Sequence, residues 1–300
     1  MEKNIKELVN NLEKTGRFKN TKEIDIILDG GAYSGSYLIG SLFYLKELEN
    51  RNMIKIKRLS GCSIGSLLCI IYKLDLLEIQ DIVYKLIRLN LSSPNMKFYF
   101  KILKILKESS PKDFYKKCNN TVFITYHDVK KNKQIVKKKY KNNNELFDSI
   151  AKSSFLPYIM NGKLLYKNNF FDGMYPHIFK KKENRDTIFF NLCNQYLIGM
   201  LFIRNEENNS ERIMTGILNC HNYFFYNYSY ANVINVHSNN ITTNIHYIWF
   251  NFRILITYVV FIIVSVYSKY KNNDDSILLS NSLEKFIKYM IKLLFVYNNS

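Results

Sequence analysis

Ile54-Lys55-Ile56-Lys57-Arg58-Leu59-Ser60-Gly61-Cys62-Ser63-Ile64-Gly65-Ser66-Leu67-Leu68 reads as a short strand, a sharp turn and the start of a helix. Ser63 lies on the turn, with Gly61 and Gly65 two residues to either side. A strand-to-helix corner this tight brings its flanks so close that side chains there would collide, and glycine is the residue that fits. The corner pushes the Ser63 hydroxyl out at the end of a sheet. The helix that follows points its N-terminal N–H groups and positive dipole end at the same spot. A structural turn satisfies the same G-x-S-x-G spacing, so the motif needs support from the rest of the chain.

Upstream, Ile24-Asp25-Ile26-Ile27-Leu28 is a short apolar run of the kind found in a buried strand. It ends in Asp29-Gly30-Gly31-Ala32-Tyr33-Ser34-Gly35-Ser36-Tyr37, and a helix follows with Leu38, Leu42, Leu45 and Leu48 on one face. Strand, glycine-rich turn and helix together leave backbone N–H groups free to hold an anion, either a phosphate or a developing oxyanion. The dinucleotide pattern fails on spacing and the P-loop pattern lacks its G-K-[ST], which leaves an oxyanion hole. With the strand at 54–60 the first unit is β-α-β, which implies parallel strands and a right-handed crossover.

Downstream, helical zones are expected from Ser66 to Leu91 and from Phe98 to Lys107, punctuated by Pro94 and Pro111. Thr121-Val122-Phe123-Ile124-Thr125-Tyr126-His127-Asp128 reads as a strand, and Gln134-Ile135-Val136 as its return partner. The lysines between Lys130 and Lys141 suit a solvated hairpin or an anionic surface. Residues 144–157 form a helix that stops at Pro157. Leu164-Leu165-Tyr166 and Asn169-Phe170-Phe171 frame a hairpin that delivers Asp172-Gly173 at a strand end, and residues 187–193 are a further buried strand.

At the N-terminus, Ile5, Leu8, Val9 and Leu12 share the face of an amphipathic helix within residues 1–20. Tyr247 to Ser268 is strongly apolar but carries Asn251 and Arg253, and is expected either to span a membrane or to lie as a monotopic or buried helix. From Asn281, a plain N-cap signal with Glu284 three residues on, a basic amphipathic helix runs to about 297 and suits either a membrane surface or the domain itself. The resulting division is 1–20, 21–200 and 201–300.

The 300 residues carry 43 Lys and Arg against 25 Asp and Glu, a net charge of +18, with 47% apolar residues. That composition excludes a disordered chain and favours an anionic partner such as a phospholipid surface, a nucleic acid or an acidic protein. Five cysteines, none in a C-x-x-C pair, indicate neither a disulfide framework nor a zinc site, and a reducing compartment fits them best. The first residues contain no apolar run of the secretory kind, so an intracellular, membrane-associated protein is expected.

Three strand-end features now stand in one chain: the turn Gly30 to Gly35, the Ser63 corner and Asp172-Gly173. Their order and content resemble the patatin-like phospholipase family, marked by a G-G-G-x-[KR]-G turn, a G-x-S-x-G about 30 residues later and a D-G-[GA] corner. The resemblance runs from about Ile24 to about Cys193. Between the motifs, Thr125-Tyr126-His127-Asp128-Val129 is similar to the family's middle strand and turn. Ala151-Lys152-Ser153-Ser154-Phe155-Leu156-Pro157 is similar to its small-residue helix end. The departures are Ala32 for the third glycine, Ser34 for the basic residue and Met174 after Asp172-Gly173. Ala32 is tolerable if its φ is negative.

The resemblance implies a three-layer α/β sandwich with a central, mostly parallel sheet flanked by helices, plus a helical and apolar C-terminal region. It implies a lipid acyl hydrolase of phospholipase A type with a Ser–Asp dyad: Ser63 the nucleophile, Asp172 the base, no metal and no cofactor. The oxyanion hole would be drawn from Gly30, Gly31, Ala32, Tyr33, Ser34, Gly35 and Ile64, with Gly61, Gly65 and Gly173 shaping the motifs. Aspartate is a weak base unless partly desolvated, and Phe170, Phe171 and Tyr175 supply an apolar setting. The alternative to the dyad is a triad completed by His177, His221, His237 or His246. The alternative to an enzyme is a catalytically impaired, basic membrane-binding or nucleic-acid-binding protein on the same fold. No recognised nucleic-acid module is present, so the expected partner is membrane phospholipid.

Overall fold

The structure, a computed structural model, describes residues 1–79, 96–192 and 209–238, with isolated helical positions between 244 and 262. The order of elements is α1 (Glu2–Glu13), β1 (Lys22–Leu28), α2 (Gly35–Asn50), β2 (Ile54–Gly61), α3 (Ile64–Lys73), α4 (Phe98–Glu108), α5 (Phe114–Cys118), β3 (Val122–Asp128), β4 (Lys133–Lys137), α6 (Asn143–Ser153), β5 (Phe170–Phe171), β6 (Asp186–Phe190), α7 (Ser210–Tyr226) and β7 (Val233–Asn235). The seven strands form one mixed sheet in the order β4-β3-β2-β1-β6-β7, with β5 joined to β3. The central pairs β1–β2, β2–β3 and β1–β6 are parallel, while β4, β5 and β7 pair antiparallel.

Because β1 has a parallel neighbour on each side, its apolar run is covered on both faces. Ile24, Ile26 and Leu28 enter the main core with residues of all seven helices, and Ile27 turns to the other face. On that second face Ile27, Phe123, Phe189, Ile234 and Val236 pack against Tyr175, Ile178 and Phe179 of an extended segment. No described helix contributes to this second cluster. The fold is therefore α/β with a mostly parallel sheet and helices packed on it, and a second helical layer is not among the described residues. The second face also holds ionic groups that periodicity does not reveal. Asp25, fully buried, pairs with Arg58 and with Arg185, and the Arg58 guanidinium lies 4.2 Å from the Phe179 ring centroid.

Several sequence boundaries shift. The zone expected from Ser66 to Leu91 is not one helix: α3 ends at Lys73, Asp75 takes a left-handed φ of 59°, and a short 3-10 turn covers Leu77–Ile79. Residues 80–91 lie outside the described residues, as does Cys193 at the end of the 187–193 strand. The body also continues past residue 200. Helix α7 crosses α2 so closely that a Cβ on Gly40 or Gly216 would strike the other helix's backbone, and the Ser41 hydroxyl donates to Gly216 O at 3.1 Å. Strand β7 then extends the sheet beyond β6. Helix α1 belongs to the same body, with Ile5, Val9 and Leu12 in the main core.

Within 247–268 the described positions include Ile248, Phe252, Leu255, Val259 and Ile262, all helical and all exposed. Their spacing of four and three residues places them on one helical face. No helix among the described residues is long and apolar enough to cross a membrane. The basic helix expected at 281–297 lies outside the described residues.

Candidate active site

The three motifs meet at the carboxyl ends of β1, β2 and β3, and the sheet register explains how. Strand β2 pairs with β3 only up to Gly61 opposite Ile124. One edge of β3 from Ile124 to Asp128 is filled by β4, so β5, which pairs with His127 and Asp128, takes the edge that β2 leaves vacant. Running antiparallel, β5 carries the chain from Phe170 opposite Asp128 to Phe171 opposite His127, heading back toward the end of β2. Asp172 and Gly173 follow at once, and Gly173 sits so close to Thr125 O that a Cβ would collide with it. Strand β5 thus leads the chain back along β3, and Asp172-Gly173 follows on the side where β2 ends and the Ser63 corner begins.

At that corner Ser63 has φ 50° and ψ −127°, a region that non-glycine residues rarely occupy, and α3 begins at the next residue. Such a conformation costs about 1–3 kcal/mol and persists only where its surroundings impose it. Here they do. A Cβ on Gly61 would lie 2.5 Å from Gly65 C and O, and one on Gly65 would lie 2.5 Å from both Leu28 O and Asp29 O. The Ser66 hydroxyl donates to Ser63 O at 2.7 Å, closing the turn from the helix side. Ser63 and Asp172 are 8% and 2% exposed, so both sit below the surface.

One residue ties the two corners together. Ser153, the last residue of α6, accepts the Ser63 N–H on its hydroxyl oxygen at 3.0 Å and the Gly173 N–H on its carbonyl at 3.0 Å. The small-residue run around it was visible in the sequence, but this role was not, because the partner lies 90 positions away. Ser153→Ala leaves a buried N–H without an acceptor, which costs about 1–3 kcal/mol. The expected results are a lower melting temperature and slower reaction of Ser63 with a serine-directed probe. An unchanged labelling rate would show that Ser153 does not hold Ser63 in its reactive position.

Asp172 is held through its backbone and through one carboxylate oxygen. Its N–H donates to Phe155 O at 2.9 Å and its Oδ1 accepts the Met174 N–H at 2.7 Å. Its carbonyl takes a hydrogen bond from His127 Nδ1 at 2.8 Å. Burial pushes the His127 imidazole below its ordinary value, against the hydrogen bond. The ring is therefore neutral at pH 7, and its proton sits on Nδ1, where the acceptor is a carbonyl. The same ring stacks on Phe171 with centroids 4.9 Å apart and meets Tyr175 edge-on at 6.2 Å. His127 was read in the sequence only as part of a strand. Ser154 binds the Tyr99 hydroxyl at 2.6 Å, and burial, reinforced by the nearby Asp172 charge, raises the Tyr99 phenol well above its usual range.

The glycine-rich turn shows which of its amides remain available. Gly30 N–H is held by Asp29 Oδ1 at 2.8 Å, Ser34 N–H donates to Gly31 O at 2.8 Å, and Gly35 N–H donates to Ala32 O. Gly31 and Ala32 have no hydrogen-bond acceptor for their N–H groups among the described residues, nor has Ile64, since Gly65 and Ser66 both turn back to Cys62 O. Of the seven residues drawn from the sequence, Gly31, Ala32 and Ile64 thus keep usable donors, Gly30, Ser34 and Gly35 shape the loop, and Tyr33, in the middle of the 3-10 turn Ala32–Ser34, is half-buried against the main core. The loop is close to Ser63: a Cβ on Gly30 would lie 3.1 Å from Ser63 Cβ, and one on Gly35 2.5 Å from Ile64 Cγ1. Asp29, quoted in the sequence without a role, is the brace, since its second oxygen accepts Leu192 N–H at 2.9 Å.

Two expectations about this loop change. Ala32 does not take a negative φ; at 44° it is left-handed, which costs an alanine about 1–2 kcal/mol. Ser34, at the place of a basic residue, is fully buried, and its hydroxyl has no partner among the described residues.

The histidines named for a triad are engaged elsewhere. His177 stacks on Phe123 at 5.5 Å, and burial with Arg58 and Lys138 nearby lowers its pKa. His221 bonds Tyr44 Oη through Nδ1 at 2.9 Å, and His237 Nε2 bonds Phe179 O at 3.1 Å. His246 lies outside the described residues. Cys62, beside Ser63, is buried, as are Cys69, Cys118 and Cys220. Among the described residues no group of three or more His, Cys, Asp or Glu side chains is placed to hold a metal. Compared with known proteins, the chain matches no family model and no curated sequence.

Proposed function

We propose that the protein is a lipid acyl hydrolase of phospholipase A type with a patatin-like Ser–Asp dyad, acting on ester-linked fatty acids of membrane phospholipids. The observation that carries this reading is the left-handed Ser63 at the β2–α3 corner, bound through Ser153 to the corner that presents Asp172. Nothing in the packing of a plain turn calls for a serine in that backbone region, or for a buried aspartate beside it.

In this mechanism Ser63 Oγ attacks the ester carbonyl while Asp172 takes the hydroxyl proton. The N–H groups of Gly31, Ala32 and Ile64 receive the negative charge that develops on the carbonyl oxygen. Each such donor is worth about 3–4 kcal/mol in the transition state. Collapse of the tetrahedral intermediate breaks the ester C–O bond, and the departing alcohol oxygen of the lysolipid takes the proton from Asp172. Asp172 then removes a proton from water, the hydroxide attacks the acyl-enzyme, and fatty acid leaves as Ser63 recovers its proton. All of these steps use groups of the chain and one water, with no metal.

The test is covalent. A fluorophosphonate probe is expected to label the wild-type protein at Ser63, and labelling is expected to vanish in Ser63→Ala. Folded wild type that takes no label would favour the alternative, a basic membrane-binding protein that keeps the fold without the chemistry.

A further inference from the structure

The edge of the sheet that carries Ser63 and Asp172 also carries a braced platform of lysines. The β3–β4 turn contributes Lys130, Lys131 and Lys133, and the hairpin leading into β5 contributes Lys163 and Lys167; all five are exposed. The two loops do not move independently, because Asn169 joins them by three bonds. Its carbonyl accepts Val129 N–H at 2.9 Å, its Oδ1 accepts Lys130 N–H at 2.9 Å, and its Nδ2 donates to Asp128 Oδ1 at 3.0 Å. Between the lysines lies a small apolar cluster separate from the main core: Leu165 and Phe171 are buried, and Val129, Leu164 and Met174 are half-buried over them. Phe171 and Met174 flank the Asp172-Gly173 corner in sequence, so the cluster is also the rim of the site.

The acidic groups are distributed the other way. At the opposite end of the sheet Glu13 and Glu47 pair with Arg51, Glu23 with Lys57 and Arg185, and Asp186 with Lys22. At the site end the carboxylates beside the platform are Asp128, 4.0 Å from Lys131, and Asp148, bound to Lys152 and Lys167. Lys130, Lys133 and Lys163 have no ion pair among the described residues. The surface at this end of the sheet is thus a net positive one with aliphatic side chains at its centre.

We propose that this platform is the docking surface of the protein for an anionic phospholipid bilayer, with Lys130, Lys131, Lys133, Lys163 and Lys167 meeting headgroup phosphates and Val129, Leu164 and Met174 meeting the layer beneath. Rigid basic loops around an aliphatic centre fit a headgroup layer over hydrocarbon. A single-stranded nucleic acid would call instead for exposed rings on which bases stack. The proposal rests on the lipid-hydrolase reading for its purpose but not for its test, since vesicle binding and probe labelling are measured separately.

The experiment compares three full-length proteins by sedimentation with vesicles of phosphatidylcholine, with and without phosphatidylserine. They are the wild type, Lys130→Gln/Lys131→Gln/Lys133→Gln, and a control triple at the opposite end of the sheet, Lys14→Gln/Lys19→Gln/Lys55→Gln. Each lysine at an anionic surface is worth about fivefold, so the platform triple is expected to lose on the order of 100-fold in affinity for phosphatidylserine vesicles. The control triple is expected to lose clearly less, and probe labelling at Ser63 is expected to be unchanged in all three. Equal losses in the two triples, or no loss in the platform triple, would overturn the proposal. So would a platform triple that keeps its vesicle affinity but loses affinity for single-stranded RNA. Absence of labelling with the binding pattern intact would instead remove the hydrolase reading and leave the docking surface standing.

Discussion

Asp172→Asn is expected to lower the release of fatty acid from phospholipid by about 10²–10⁴-fold, the range that a positioned general base contributes. The substitution changes little else. Asparagine has the same shape, and its Oδ1 can still accept the Met174 N–H, which in the wild type is held at 2.7 Å. The backbone bonds of residue 172 to Phe155 O and to His127 do not involve the side chain. What is lost, in the proposed mechanism, is the capacity to take the Ser63 proton and later to deprotonate water. Labelling of Ser63 by a fluorophosphonate is expected to slow as well, because that reaction too begins with removal of the hydroxyl proton. The measurement is turnover of a phospholipid substrate by the two proteins alongside their melting temperatures. Wild-type turnover in a folded Asp172→Asn would exclude the dyad and direct attention to another base.

The sequence exposed the parts of this site that depend on local sterics. Gly61 and Gly65 around Ser63 announced a corner, and the corner is there because any Cβ at either glycine meets backbone. The turn before Asp172 was legible in part: Tyr166 and Phe170 meet in a single bridge across Lys167, Asn168 and Asn169, the first two left-handed. The Asp29-Gly30 contact is local too, and an Asp preceding Gly is a common turn pair that signals it. Features set by distant closure were not legible. Ala32 is left-handed at the start of the 3-10 turn Ala32–Ser34, in a loop whose other end is pinned by Asp29, and no local rule gives the sign of its φ. Ser153 is one small residue in a run of small residues until the fold brings Ser63 to it. The end of the body beyond residue 200 was hidden for a similar reason: α7 joins it through Gly40 and Gly216 at its crossing with α2 and through Ile213, Ile217 and Cys220 in the main core, contacts that only the closed fold creates.

The remaining expectation concerns Gly65→Ala, the smallest change that separates a site built by packing from one built by residue identity. The added Cβ would stand 2.5 Å from Leu28 O and from Asp29 O, and 2.9 Å from Leu28 C. None of these atoms is the end of a flexible side chain. Leu28 belongs to the central strand, paired with Gly61 of β2 on one side and Phe190 of β6 on the other. Overpacking against such a strand costs about 3 kcal/mol, which for a body of this size lowers the melting temperature by roughly 6–12 °C. The displaced segment is also the one that orients the turn Gly30 to Gly35, the proposed oxyanion hole, because Asp29 holds both Gly30 N–H and Leu192 N–H. Turnover is therefore expected to fall by about 10²–10³-fold even in the fraction that stays folded, as for loss of one oxyanion donor. Gly162→Ala is the matched comparison. That glycine has φ 76° with nothing within 4 Å of a built Cβ, so its cost is limited to the left-handed backbone, about 1–2 kcal/mol, with turnover unchanged. If Gly65→Ala behaved like Gly162→Ala in both melting and turnover, α3 would be free to slide along β1. The corner at Ser63 would then owe its shape to something other than the contact between Gly65 and the end of that strand.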